Sequence, residues 1–191
     1  LLDRSAPVKV LIVKLSSLGD VVHAMPAVMD IRAAFPNAQI DWVVERSFAS
    51  LVARCSAVNR VIPCEIRRWR KSPFSADTRA QWRAFREDLQ AQSYDAVIDL
   101  QGLTKSALVA WLARLTPTGQ RYAMANQTCL LYTSDAARWV ADVAVTVPAH
   151  IHAMTRSRVM CAEILGYTLS PVPRFGLGRA QPQKQPYVVL V

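Results

Sequence analysis

An aspartate that closes a short polar turn between an apolar strand and a helix is placed to move a proton. This chain carries one at Asp20, in Ser16-Ser17-Leu18-Gly19-Asp20, soon after the apolar run Val8-Lys9-Val10-Leu11-Ile12-Val13. In open parallel sheets ligands gather at the carboxyl ends of the strands, so this turn lies where chemistry is expected. There a carboxylate can serve as general base toward an attacking hydroxyl, and a helix N-terminus keeps it ionised at neutral pH. The same position also suits an N-cap, a purely structural role, and residue type alone does not separate the two. The turn is neither a GxGxxG nor a phosphate loop, since it has a single glycine and no Gly-Lys-Ser/Thr.

Two further groups fall on the same predicted edge. Ile66-Arg67-Arg68-Trp69-Arg70-Lys71 packs Arg67, Arg68, Arg70 and Lys71 together without an acid among them. Such a block can grip phosphates or carboxylates through the planar guanidinium fork, or it can be a solvated basic loop. Trp69 adds a nucleic-acid version, with a base stacked on the ring, although no recognition-helix, RRM or OB signature accompanies it. In Asp99-Leu100-Gln101-Gly102-Leu103-Thr104-Lys105-Ser106, Lys105 and the free N–H groups of a helix start could hold an anion, and Gln101 could hydrogen-bond a hydroxylated ligand. Asp99 is expected to be buried or to cap, and Ser106 to be structural. His23 and His152 show no partner at ligand spacing, and His152 with Arg156 makes only an unspecific anion contact. Cys55, Cys64, Cys129 and Cys161 have neither CxxC spacing nor neighbouring histidines, so neither a disulfide framework nor a zinc site is expected, and reduced thiols in the cytoplasm are the default.

Strands alternating with helices must position these groups. The periodicity predicts strands at 8–13, 40–44, 60–64 and 96–100, and helices opening at Pro26 behind an N-cap at Asp20, around 48–53, over 77–92, over 103–115 and over 151–165. Trp82, Phe85 and Leu89 mark the buried face of the helix over 77–92, and Gly166 stops the last helix. Between Thr116 and Val147 only Tyr122-Ala123-Met124 reads as a short strand. This alternation argues for an α/β fold, a Rossmann-like parallel sheet with helices on both faces. The chain is long enough, at 191 residues and 52% hydrophobic, for one real core. A formal charge of +9 points to an anionic partner without choosing it. No apolar run is long enough to span a bilayer and no secretory signal is legible, so a soluble or peripheral protein is expected.

Val10 to His23, Asp41-Trp42-Val43-Val44-Glu45, the Ile66 to Lys71 block, Asp99 to Ser106 and His152-Ala153-Met154-Thr155-Arg156 together resemble the ADP-heptose:lipopolysaccharide heptosyltransferase family, and the Ser-Ser-Leu-Gly-Asp turn joined to the basic block is specific to its type I members. The resemblance covers most of residues 8–169 and implies the N-terminal half of a two-domain GT-B glycosyltransferase. On that footing residues 1–169 are an acceptor-binding domain, 170–186 an interdomain linker, and 187–191 the first strand of a donor-binding domain that is truncated. The implied reaction moves L-glycero-D-manno-heptose by inversion from ADP-heptose to the Kdo of Kdo₂-lipid A, with no metal and no cofactor. Asp20 is the implied catalytic base. Ser16, Ser17, Arg67, Arg68, Arg70, Lys71, Gln101 and Lys105 are the implied acceptor-binding set. The lipid acceptor implies a place at the cytoplasmic face of the inner membrane. The chain taken alone is expected to be inactive, and 129–137, foreign to its surroundings in composition, is assigned no site. The rival readings are a non-enzymatic nucleotide- or nucleic-acid-binding module on the same sheet, or a sugar transferase with another acceptor.

Overall fold

A computed structural model of the chain describes residues 7–125 and 139–178. Its centre is a six-stranded, all-parallel sheet built from β1 (Lys9–Val13), β2 (Gln39–Glu45), β3 (Arg60–Cys64), β4 (Ser93–Asp99), β5 (Arg114–Met124) and β6 (Val143–Val145) in the order β3-β2-β1-β4-β5-β6. The order reverses between β1 and β4, and that switch point is where a doubly wound sheet opens a crevice at its carboxyl edge.

Alternation along β1 divides the core between the two faces. Val10 and Ile12 point into a cluster with Val21, Met25 and Val28 of α1 (Leu18–Ala34) and Met160 and Cys161 of α6 (Ala153–Leu165). Leu11 and Val13 point the other way, toward Ile66 and Trp69 of α3 (Ile66–Trp69), Phe85 and Leu89 of α4 (Ala76–Leu89) and Val109 of α5 (Thr104–Leu112). Strands buried on both sides are the reason these segments read as apolar runs rather than as polar–apolar alternation. The helical layer is tied across the first face by a buried ion pair, in which Arg158 Nε of α6 donates to Asp30 Oδ2 of α1 at 2.6 Å.

The expected α/β Rossmann-like sheet is therefore present, with four corrections. The N-cap of the first helix is Ser17, not Asp20, and α1 runs unbroken through Pro26 instead of opening there. Burial of Val21, Ala24, Met25, Val28 and Ile31 against the sheet outweighs the one helical hydrogen bond that a proline cannot donate. Of the basic block, Ile66 to Trp69 form the single turn of α3, and Arg70 and Lys71 lie exposed in the turn that follows it. The helix expected over 103–115 stops at Leu112, because Arg114 and Leu115 already pair with Ser93 and Tyr94 as the start of β5. β5 is longer than the short strand read at Tyr122 to Met124. Its pairing with β4 jumps from Leu115 to Gln120, so Pro117 and Gly119 sit in an irregularity where a ladder donor is dispensable.

The first part of the expected linker runs back against the turn that follows α2 (Arg46–Val52), where the Ser56 N–H donates to the Gly176 carbonyl at 2.9 Å and Cys55 bridges antiparallel to Leu177. The rest of that linker, the expected strand at 187–191 and the stretch 129–137 lie outside the described residues. No helix among the described residues is long and apolar enough to cross a membrane.

Candidate functional site

Two polar clusters meet at the switch point, one on either side of the β1–α1 turn. The first surrounds Asp20. This residue lies in the first turn of α1 and folds its carboxylate back onto the turn, so that the Ser17 N–H and the Ser17 hydroxyl both donate to Oδ2 at 3.1 Å. Burial works against ionisation of Asp20. The Lys14 ammonium, the two bonds from Ser17 and the His23 ring outweigh it, and the carboxyl is held below the usual aspartate range.

Lys14 is the buried cation of this cluster. It follows β1 directly, its Nζ donates to the Leu100 carbonyl at 3.0 Å, and its backbone carbonyl accepts from Trp42 Nε1 at 3.0 Å. Burial pushes its pKa down, and Arg156 adds to that, while Asp20 and Asp99 oppose it. A small cleft is lined by Lys14, Asp20, His23, Arg156 and Ser157 over a floor of Leu100, Met124 and Met160. At its rim the rings of His23 and His152 meet edge to face with centroids 4.8 Å apart. His152 is the N-cap of α6, its Nδ1 accepting from the Met154 N–H at 3.3 Å. The two histidines read as partnerless in the sequence are thus brought together beside Asp20.

The second cluster lies on the other side of the turn. Lys105, in the first turn of α5, donates from Nζ to Ser16 Oγ at 2.7 Å, and the Arg67 guanidinium approaches the same oxygen at 3.5 Å. Gln101 Oε1 accepts from the Leu15 and Ser16 N–H groups at 3.0 and 3.1 Å, so its carbonyl serves to pin the β1–α1 turn. Glu45, at the end of β2, is buried beside Lys105 and Arg67, and its Oε1 has no hydrogen-bond partner among the described residues. Burial raises the pKa of Glu45, opposed by those two cations. Burial and then Arg67 lower that of Lys105. A cation pair over a hydroxyl, with an acceptor oxygen unspent, is suited to a ligand that carries both an anionic group and hydroxyls.

Under both clusters Asp99 is buried as expected, accepting from the Gln101 and Gly102 N–H groups and from the Ser106 hydroxyl, and Ser106 is structural. Gly102 takes φ 71°, which a side chain would resist, so the β4–α5 turn can fold tightly over this carboxylate.

Of the eight residues expected to bind the acceptor, Ser16, Arg67, Gln101 and Lys105 converge, and Ser17 adjoins them on the Asp20 side. The rest of the basic block diverges. Arg68 is spent on Glu65 at 3.6 Å and Asp77 at 3.2 Å, acids that lie outside the block itself. Arg70 turns toward a separate groove and Lys71 is exposed. Trp69 is buried, edge-on to Trp82 at 5.4 Å, with its Nε1 donating to Gln81. It is therefore not available to stack a nucleic-acid base, contrary to the nucleic-acid version expected of the block.

The sequence reading missed Lys14 and Glu45, whose signal was only their place at a strand end. It undervalued His23, which at three residues past Asp20 had to share its helix face. Among the described residues no group of His, Cys, Asp and Glu is arranged to hold a metal ion.

The glycosyltransferase family 9 (heptosyltransferase) profile matches residues 82–188. Lipopolysaccharide heptosyltransferase 1 of Escherichia coli (strain K12) is 47% identical over 165 residues, 84% of this chain and 48% of that protein. The Pseudomonas aeruginosa protein of the same name is 42% identical over 178 residues, 91% of this chain and 47% of the relative. Among solved structures, E. coli heptosyltransferase WaaC with ADP superposes with a TM-score of 0.81 at 43% identity, covering 88% of this chain and 51% of that one. E. coli ADP-heptose lps heptosyltransferase II shares the fold, with a TM-score of 0.59 at 21% identity, 80% of this chain and 40% of that one. The chain spans about half the length of the curated relatives it matches. With its parallel sheet, its switch-point clusters and a profile match over more than half its length, the chain belongs to glycosyltransferase family 9, the heptosyltransferases.

Proposed function

We propose that this chain supplies the acceptor half and the catalytic base of a lipopolysaccharide inner-core heptosyltransferase, one that moves L-glycero-D-manno-heptose from ADP-heptose to the Kdo of Kdo₂-lipid A. The observation that carries the reading is the Asp20 carboxylate, held ionised by Lys14, Ser17 and His23 at the switch point of the sheet and next to a cation pair. Its support is the 42–47% identity to proteins named lipopolysaccharide heptosyltransferase 1.

In this reading Asp20 accepts the proton of a Kdo hydroxyl as that oxygen attacks the anomeric carbon of the heptose. The new glycosidic bond forms on the face opposite the departing ADP, the bond to the ADP phosphate breaks, and the configuration inverts. Lys105 and Arg67 hold the Kdo carboxylate, with Ser16 and Glu45 facing its hydroxyls. The proton is taken by a weak base, so the positioning of the hydroxyl supplies much of the acceleration. No cofactor is called for; ADP-heptose is a substrate, and holding it is not among the roles proposed for this chain. The acceptor places the enzyme at the cytoplasmic face of the inner membrane, where a positively charged protein is favoured by anionic lipid.

The test uses the full-length protein and follows transfer of labelled heptose from ADP-heptose. Transfer to Kdo₂-lipid A, lost when the Kdo carboxylates are converted to amides, is the expected result. Equal transfer to the amidated acceptor would remove the cation pair from acceptor recognition, and transfer to an unrelated sugar in preference would replace the acceptor altogether.

A further inference from the structure

Away from the switch point, the second face of the sheet carries an open apolar groove that the proposed chemistry does not use. It has a volume of about 310 Å³ and is lined chiefly by Ile66, Trp69, Pro73, Trp82 and Leu108 between α3, α4 and α5. Beside Pro73, Phe74 is 88% exposed, and one turn along α5 from Leu108, Trp111 is 61% exposed. Large aromatics this exposed on either flank of an apolar groove are costly in water and mark a surface meant to be covered.

The charges around the groove say what covers it. Arg70 and Arg79 line its edge, with Lys71 and Arg83 exposed next to them, and none of these four is in an ion pair among the described residues. Of the acids on α4 and just before α3, Glu65 and Asp77 are engaged by Arg68 and Asp88 by Arg60, which leaves Glu87, one turn past Arg83, as the one exposed acid of α4 outside an ion pair among the described residues, against four such cations. Aromatic rings standing out of a cationic rim match the boundary of an anionic bilayer, where rings lie at headgroup depth and the cations meet lipid phosphates. A protein partner would be expected to answer the rim with acids of its own, and a second copy of this chain, net positive, would repel it.

We infer that the α3–α4–α5 face, with Phe74 and Trp111 as its inserted anchors, docks this protein on the surface of an anionic lipid bilayer. This deepens the reading of a lipid-linked acceptor, because the docking face adjoins the same α3 that carries Arg67 to the acceptor cluster. The docking itself needs neither sugar substrate.

The test is sedimentation of the 191-residue chain with vesicles of equal parts phosphatidylglycerol and phosphatidylcholine, and with vesicles of phosphatidylcholine alone. Binding is expected to the first and not to the second, weakening as salt is raised. Phe74→Ser with Trp111→Ser should lower the partition coefficient at least about tenfold. Arg79→Gln with Arg83→Gln should lower it about thirtyfold, each cation contributing roughly fivefold near an anionic surface. All four positions are on the surface, and circular dichroism verifies that the variants fold. Absence of binding by the parent chain, binding unchanged in both double variants, or concentration-dependent self-association that the aromatic variant abolishes without any vesicle binding would each overturn the inference. The vesicles hold no saccharide acceptor or donor, so failure here leaves the transferase reading standing, and failure of heptose transfer leaves the vesicle result standing.

Discussion

Asp20→Asn separates a base from a cap, because the structure shows what the substitution keeps. Both bonds from Ser17 end on a carboxylate oxygen at 3.1 Å, and the amide oxygen of Asn can accept both. Only the charge is lost. A first-turn carboxylate on a helix dipole contributes about 0.3–1 kcal/mol, so the melting temperature of a domain this size should fall by only about 1–4 °C. A general base contributes about 10²- to 10⁴-fold to rate, or about 2.7–5.5 kcal/mol of activation free energy. The variant full-length enzyme should therefore lose at least about a hundredfold in kcat, with its acceptor KM changed little, since the base acts in the transition state. The pH dependence follows from the same contacts. Lys14, Ser17 and His23 overcome the burial that opposes ionisation, so the carboxyl titrates below the ordinary aspartate range. A base works deprotonated, so protonation of Asp20 takes nothing from activity at neutral pH, and the acidic limb that it sets lies below the ordinary aspartate range. The contribution of this carboxylate to stability has the same sign, present above the unfolded-state pKa and lost as pH falls through the folded one. Steady-state transfer assays on the parent, Asn and Ala forms, with melting curves for each, decide the matter. If the Asn form retains kcat within about threefold, or loses rate only as far as KM rises, Asp20 is a helix-start residue and the base lies elsewhere.

Arg158→Met strips the partner from a buried Asp30 and should cost about 3–5 kcal/mol in urea unfolding, whereas Asp30→Leu with Arg158→Met should regain most of it; a loss under about 1 kcal/mol for the single change would mean that the pair is not held dry. Arg67→Ala in the full-length enzyme should raise acceptor KM about tenfold or more, while Arg68→Ala, its guanidinium already committed to Glu65 and Asp77, should change it less than about threefold; a reversed ranking would move the acceptor to the far side of α3. Burial and then Glu45 push the Cys64 thiol up to about 12, and burial raises Cys161 too, so peptide mapping after a thiol reagent at about pH 8 should find both unlabelled in the native chain and labelled in urea. Native labelling of either would show that its strand or helix opens far more often than the packing implies.

The α/β order was legible because burial on both faces leaves strands as apolar runs, and because helix ends have local chemistry: Gly166 sits at φ 69° where the last helix was expected to stop. Local chemistry was ambiguous where two elements compete for one run. Ala107 to Leu115 suits a helix or a strand, and only the pairing of Arg114 with Ser93 settles its division. Asp20 was misplaced as the N-cap for a related reason, since Ser17 and Asp20 both suit the start of a helix and the first hydrogen-bonded turn, Val21 N–H to the Ser17 carbonyl at 2.9 Å, selects Ser17.

By itself the sequence determined the polar turn after β1, the acid within it, the basic block after β3 and the Gln101 to Lys105 turn after β4, because each is contiguous and each ends a strand. Which of them meet was decided by the sheet. Parallel pairing of β1 with both β2 and β4 brings Lys105 to Ser16 and leaves Glu45 beside Arg67, across separations of tens of residues that no local pattern encodes. The packing of α6 on α1 likewise sets His152 against His23, and the single turn of α3 parts Arg67 from Arg68 and Arg70 by rotating them to different sides. Side-chain direction depends on backbone geometry fixed by distant burial, so a block of like charges in the sequence became three different environments in the fold.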